Sequence, residues 1–141
     1  MTIIELNTLT ETQAADILAL MKELDTAIDV SADMLRDAAG DPSTHLFAVV
    51  EDGHVIGCAS LCVSCTPTGR KGAIEDVVVG SAHRGRHIGR MLIEHILDYA
   101  RSGLAPIQIK LTSRPSREKA NLLYQAVGFQ RYETNVYKLS L

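Results

Sequence analysis

Between Ile74 and Leu92 the chain reads IEDVVVGSAHRGRHIGRML. A β-branched run gives way there to a loop, and the loop to a helical pattern. His83, Arg84, Arg86, His87 and Arg90 make this the most basic stretch of an otherwise acidic chain. A helix start leaves backbone N–H groups without partners and carries partial positive charge, so such a junction can hold a phosphate without any side chain. Gly85 and Gly89 let the backbone approach a ligand closely. The stretch has neither the G-K-[S/T] ending of one common phosphate loop nor the G-x-G-x-x-G turn of the other. The plain alternative is a basic surface turn. Upstream, Glu75 and Asp76 alternate on the strand, which directs them to opposite faces and keeps them from acting as a close pair.

The elements that must position this junction follow from periodicity and turn chemistry. TIIELN alternates as an opening strand; Thr10 and Gln13 form a capping box before Ile17, Leu20, Met21, Leu24 and Ile28 at helical spacing. Ser31 caps a shorter helix that ends at Gly40 and Pro42. HLFAVV and HVIGCASLCVS flank Asp52-Gly53, a strong hairpin signal. TPTGRKG reads as a loop, AIEDVVV as the next strand, and a helix runs from Ile88 to Ser102 and Gly103. PIQIKLTS is a further strand, Ser116 caps a helix closed by Gly128, and FQRYE and VYKLSL finish the sheet. The order β-α-α-β-β-β-α-β-α-β-β predicts an α/β (α+β) fold, with a mixed, mostly antiparallel central sheet of six to seven strands flanked by about four helices. The helical crossover makes the fourth and fifth strands parallel, and a ligand is expected at their carboxyl ends.

Composition bounds the rest. A length of 141 residues, 46% apolar, is one domain, residues 1–141, with a real core. A formal charge of −3 argues against nucleic acid or a membrane surface as partner, since both favour a basic field. The first residues include Glu5, Glu11 and Asp16 and show no secretory pattern, so the cytoplasm is expected. Cys58 and Cys62 lie ~13 Å apart on one strand face, too far to share a zinc ion, and no metal is expected. His45, His54 and His95 are isolated and read as surface or edge residues.

VVVGSAHRGRHIGRML resembles motif A of the GCN5-related N-acetyltransferases, the GNAT family, with Arg84 and Gly89 at its outer positions and His87 where a glycine is usual. KANLLYQAVGF resembles the family's motif B: Tyr124, Gly128 and Phe129 match, and Arg117 stands where Asn is common. The order of elements agrees across nearly the whole chain.

The resemblance implies acetyl-CoA as cosubstrate, lying between the fourth and fifth strands. It assigns cofactor binding to Val77, Val78 and Val79 on the strand, and to Arg84, Gly85, Arg86, His87, Ile88, Gly89 and Arg90 on the loop. Arg117 joins them from motif B. It places the Tyr124 hydroxyl near the thioester sulfur, where a phenol can protonate a departing thiolate. An alkyl ammonium must lose a proton before it attacks, and Glu75 is the candidate base. A strand N–H close to Val78 or Val79 would hold the oxyanion. The expected activity is direct acetyl transfer to a primary amine, of a small molecule first and of a peptide N-terminus or lysine as the other acceptor. The alternative is a noncatalytic acyl-CoA-binding sensor. The acceptor is expected to meet the first helices and the Thr66–Lys71 segment, and the alternating tail raises a homodimer.

Overall fold

The local signals act where they are written. In the computed structural model, which describes residues Met1–Leu141, β1 (Thr2–Leu6) leads into α1 (Glu11–Leu24) through the expected capping box. The Gln13 N–H donates to Thr10 Oγ1 at 3.1 Å, and the Thr10 N–H donates to Gln13 Oε1 at 2.9 Å. Ser31 Oγ accepts from the Met34 N–H at the start of α2 (Ala32–Gly40). β2 (Thr44–Glu51) and β3 (His54–Thr66) join through Asp52 and Gly53, whose φ angles of 51° and 80° are those of the predicted tight turn.

TPTGRKG is not the loop its composition suggests. β4 (Gly69–Val79) begins at Gly69, and Thr66 pairs with Gly69 and Cys65 with Arg70, so only Pro67 and Thr68 lie outside the ladder. Gly69 supplies φ 119°, and Thr66 Oγ1 donates to its carbonyl at 3.0 Å. The long partner β3 gives these polar residues a ladder that their local propensity does not announce.

α3 (Ile88–Gly103) crosses to β5 (Gln108–Lys110), which lies parallel to β4 as expected, with Lys71 opposite Gln108 and Ala73 opposite Lys110. The sheet has five strands in the order β1-β2-β3-β4-β5, antiparallel but for that last pair. The expected six to seven are not formed. Neither FQRYE nor VYKLSL is a strand, and Tyr132, Val136, Tyr137, Leu139 and Leu141 are exposed. Alternation marks a segment able to pair, but a strand exists only where a neighbour takes its backbone hydrogen bonds.

Residues Met1–Leu111 form one compact unit and Thr112–Leu141 a second. In the first, alternation along β2 sorts the core to two faces. Leu46 and Ala48 pack with Ile17, Leu20 and Met21 of α1 and Leu35 of α2. Phe47 turns the other way, its ring edge-on to His95 and Tyr99 of α3. His45 and His54 are not isolated. His45 Nδ1 lies 2.8 Å from Glu5 Oε1 and 3.1 Å from Tyr99 Oη, tying β1, β2 and α3 together, and His54 meets Asp16 at 3.1 Å.

In the second unit α4 (Glu118–Ala126) starts at Arg117, not at the expected Ser116, and has no side-chain cap. Its end follows expectation: Gly128 has φ 111°, and the Phe129 N–H donates back to the Tyr124 carbonyl at 2.9 Å.

Candidate active site

β4 carries the site because its two sides are treated differently. On one side β3 accompanies it along nearly its whole length. On the other, β5 pairs only with Lys71, Gly72 and Ala73. From Ile74 to Val79 that edge has no strand paired with it, so every second backbone N–H and C=O there is left without a ladder partner.

A β-bulge shapes the same segment. Ser60 pairs with Glu75 and Cys58 with Val78, which leaves Asp76 and Val77 opposite the single residue Ala59. Asp76 absorbs the extra residue with φ 54°, a left-handed conformation that Asp tolerates better than most. The strict alternation expected across Glu75 and Asp76 is therefore interrupted. Burial, and then the Asp76 charge, push the Glu75 carboxyl above its ordinary range, as a candidate base requires. Val78 is buried in the α1 core and can serve a ligand only through its backbone.

Beyond β4 the chain is pinned before it turns. The Gly80 N–H donates to the Ile56 carbonyl at 2.9 Å, and Ser81 Oγ donates to Glu23 Oε1 at 2.6 Å in a single helical turn, Ser81–His83. The hydrogen bonds from Ser81 hold the Glu23 carboxyl below its usual range. Gly85 follows with φ 81°, and a Cβ there would meet nothing within 4 Å. A side chain at position 87 is harmless to a close approach when its φ is negative. It is not: His87 sits at φ 60°, ψ 20°, the shape a glycine adopts without strain, at a cost of about 1 kcal/mol for other residues.

No side chain caps α3. The missing cap forgoes about 1 kcal/mol, whereas Ile88, Leu92, Ile93 and Ile96 are buried on this helix at roughly 1.5–3 kcal/mol each. Packing therefore holds the helix without help at its start, and the first-turn amides stay open to a ligand. Exposed left-handed residues, uncapped amides and the positive helix end together fit a diphosphate. The arginines contribute less directly. Arg86 is bidentate on Glu51 at 2.7 and 2.9 Å, Arg90 Nε donates to Glu94 at 2.8 Å, and Arg84 Nε reaches the Val79 carbonyl at 3.4 Å. The pairing lowers the Glu51 pKa and raises that of Arg86. Ile88 is buried, so its backbone alone can meet a ligand.

Tyr124 and Arg117 belong to the second unit. Tyr124 is buried, its ring edge-on to Phe129. Burial raises its hydroxyl pKa, and the Arg117 guanidinium pulls it partway back. An arginine at the usual Asn position thus acts on the phenol that the sequence singled out. Among the cysteines, burial pushes Cys58 up to about 12 and raises Cys62, so both are held as neutral thiols.

Sequence reasoning missed three features. The Asp76 bulge shows no local signature. Glu51 reaches Arg86, and Glu23 reaches Ser81, across separations of 35 and 58 residues. Only the hairpin register and the packing of α1 bring these pairs together.

Residues 12–129 match the acetyltransferase (GNAT) family. The glucosamine 6-phosphate N-acetyltransferase of Trypanosoma brucei brucei is 33% identical over 141 aligned positions, which cover 92% of this chain and 91% of that protein. The N-alpha-acetyltransferase RimI of Mycobacterium tuberculosis is 29% identical over 114 residues, 77% of this chain and 70% of that one. A crystal structure of an acetyltransferase from Trypanosoma brucei superposes with a TM-score of 0.76 at 28% identity over 99% of both chains. GNAT acetyltransferases use acetyl-CoA as cosubstrate, and no group of three or more His, Cys, Asp or Glu residues is arranged here to hold a metal. With its element order, its open β4 edge and its anion-receptive loop, the chain is an acetyltransferase and belongs to the GNAT family.

Proposed function

We propose that this chain moves the acetyl group of acetyl-CoA directly to the primary amine of a small molecule in the cytoplasm, working as one domain over residues 1–141. The observation that carries this reading is the unpaired β4 edge, followed after the Gly80–His87 connection by an uncapped helix start. No helix is long and apolar enough to cross a membrane.

When bound, acetyl-CoA supplies a thioester whose carbonyl carbon takes the amine nitrogen, with coenzyme A leaving as the thiol. The amides of residues 84–90 and the open edge at Val77–Val79 hold it. Glu75 accepts one proton from the substrate ammonium and so frees the nitrogen lone pair that attacks, and the second proton that the nitrogen loses passes to solvent. Tyr124 Oη donates one proton to the sulfur, and solvent restores both groups. A backbone N–H at Val78 or Val79 donates to the carbonyl oxygen as charge develops there. No substitution short of proline removes that donor.

Thiol release from acetyl-CoA, measured across amino sugars, polyamines, amino acids and peptides, tests the proposal. Turnover on at least one small amine is expected. Tyr124→Phe should lower kcat by roughly a hundredfold or more while leaving coenzyme A affinity nearly unchanged. Tight coenzyme A binding with turnover on no amine would make the chain an acyl-CoA sensor instead. Equal loss of kcat and affinity would make Tyr124 a packing residue.

A further inference from the structure

A half-open cavity of about 370 Å³ lies on the sheet away from the loop that fits a diphosphate. Its size is that of a small-molecule site. Residues in register share a face, so Cys62 and Ser64 of β3, Ala73 and Lys71 of β4, and Lys110 and Gln108 of β5 line it together. This is the face that α1 and α2 cover farther along, where Cys58 is fully buried; by Ser64 it is exposed.

The lining carries two lysines and no acid, in a chain whose net charge is −3. Lys71 Nζ donates to Gln108 Oε1 at 3.4 Å, which leaves the Gln108 amide nitrogen as a further donor. Cys62 is kept as a neutral thiol by burial and by the nearby carboxylates of Glu75 and Asp76, so it adds no negative charge to the wall. Glu75 stands on the same ladder, opposite Ser60. It is two residues from the Ala73–Lys110 row, ~7 Å along the strand, and four from Lys71, ~13 Å.

Resting on the proposed activity, we infer that the acceptor is a primary amine carrying an anionic group, a phosphate or a carboxylate, several bonds from the nitrogen. The anion sits between Lys71 and Lys110, and the amine reaches back to Glu75. Neither lysine touches the reacting atoms; both set specificity. A neutral amine of the same shape fills the cavity without the charge-assisted hydrogen bonds that fix its register.

The test uses the full chain with acetyl-CoA and three acceptors of one length: an ω-aminoalkanol, an ω-amino acid and an ω-aminoalkyl phosphate. One or both anionic acceptors should exceed the alkanol in kcat/KM by roughly tenfold or more, and their ranking tells phosphate from carboxylate. Lys71→Gln with Lys110→Gln should reduce that preference to about threefold or less. The KM for acetyl-CoA should not move, and Lys71→Arg should retain the preference. Equal kcat/KM for all three acceptors, or equal loss on charged and neutral ones in the double variant, overturns the inference. Calorimetric binding of the aminoalkyl phosphate reads the cavity without turnover. Binding that the double variant loses supports the anion site even where no acetyl group moves, in which case only the proposed activity fails. Absent binding, or binding the variant leaves intact, rejects the site.

Discussion

Glu75 illustrates how the surroundings of a side chain set its protonation behaviour. On an undisturbed strand it would point away from Asp76. The bulge brings the two carboxylates into the same field, and burial together with that field raises the Glu75 pKa. A base acts only when deprotonated, so activity should fall as pH drops through that pKa, and the fall should begin above the ordinary carboxylate range. Asp76→Asn, which keeps a residue tolerant of positive φ, should shift the acidic limb of the kcat/KM profile downward. Glu75→Gln should abolish that limb. Profiles unchanged in both variants would remove Glu75 from the chemistry. That a carboxylate stands at this position is legible in the sequence; its electrostatic partner is not, because strand alternation predicts the opposite geometry. Arg117 shows the same limit, since its position was legible as a departure from a motif, but its pull on Tyr124 emerges only where the turn before α4 presents the guanidinium to the phenol.

At the scale of elements, signals confined to a few neighbouring residues act as written, the Ser116 cap excepted. The Thr10–Gln13 box, the Ser31 cap and the Asp52-Gly53 turn need only local hydrogen bonds and φ preferences. Failures came where a partner strand decides. β3 recruits Gly69–Lys71 into β4 against their composition, and the alternating tail joins no ladder. The connection from β4 to α3 stands between these cases. Its place was legible, but the left-handed conformation of His87 was not. His87→Gly should leave the fold intact and raise stability by about 0.5–1 kcal/mol, because relief of strain outweighs the extra freedom glycine gains when unfolded. His87→Val should lower it by roughly 1–2 kcal/mol, since a β-branched residue resists positive φ. Urea midpoints check both. A less stable glycine variant would mean that the imidazole makes a contact outweighing its strain.

Considered whole, the molecule carries local groups of positive side chains on an acidic background at the loop of residues 84–90 and around the lysine-lined cavity. Both adjoin β4, whose open edge runs from one toward the other. A net charge of −3 argues against polyanion partners and the length allows for one core, but bulk numbers cannot say where a local anion site lies. The claim on which the account turns is that backbone amides after β4 bind a diphosphate. Calorimetric titration of coenzyme A beside pantetheine, which has the same thiol arm and no diphosphate, tests it directly. The account predicts saturable binding of coenzyme A, roughly a hundredfold tighter than pantetheine. Equal affinity for the two, or no binding of coenzyme A, would contradict it.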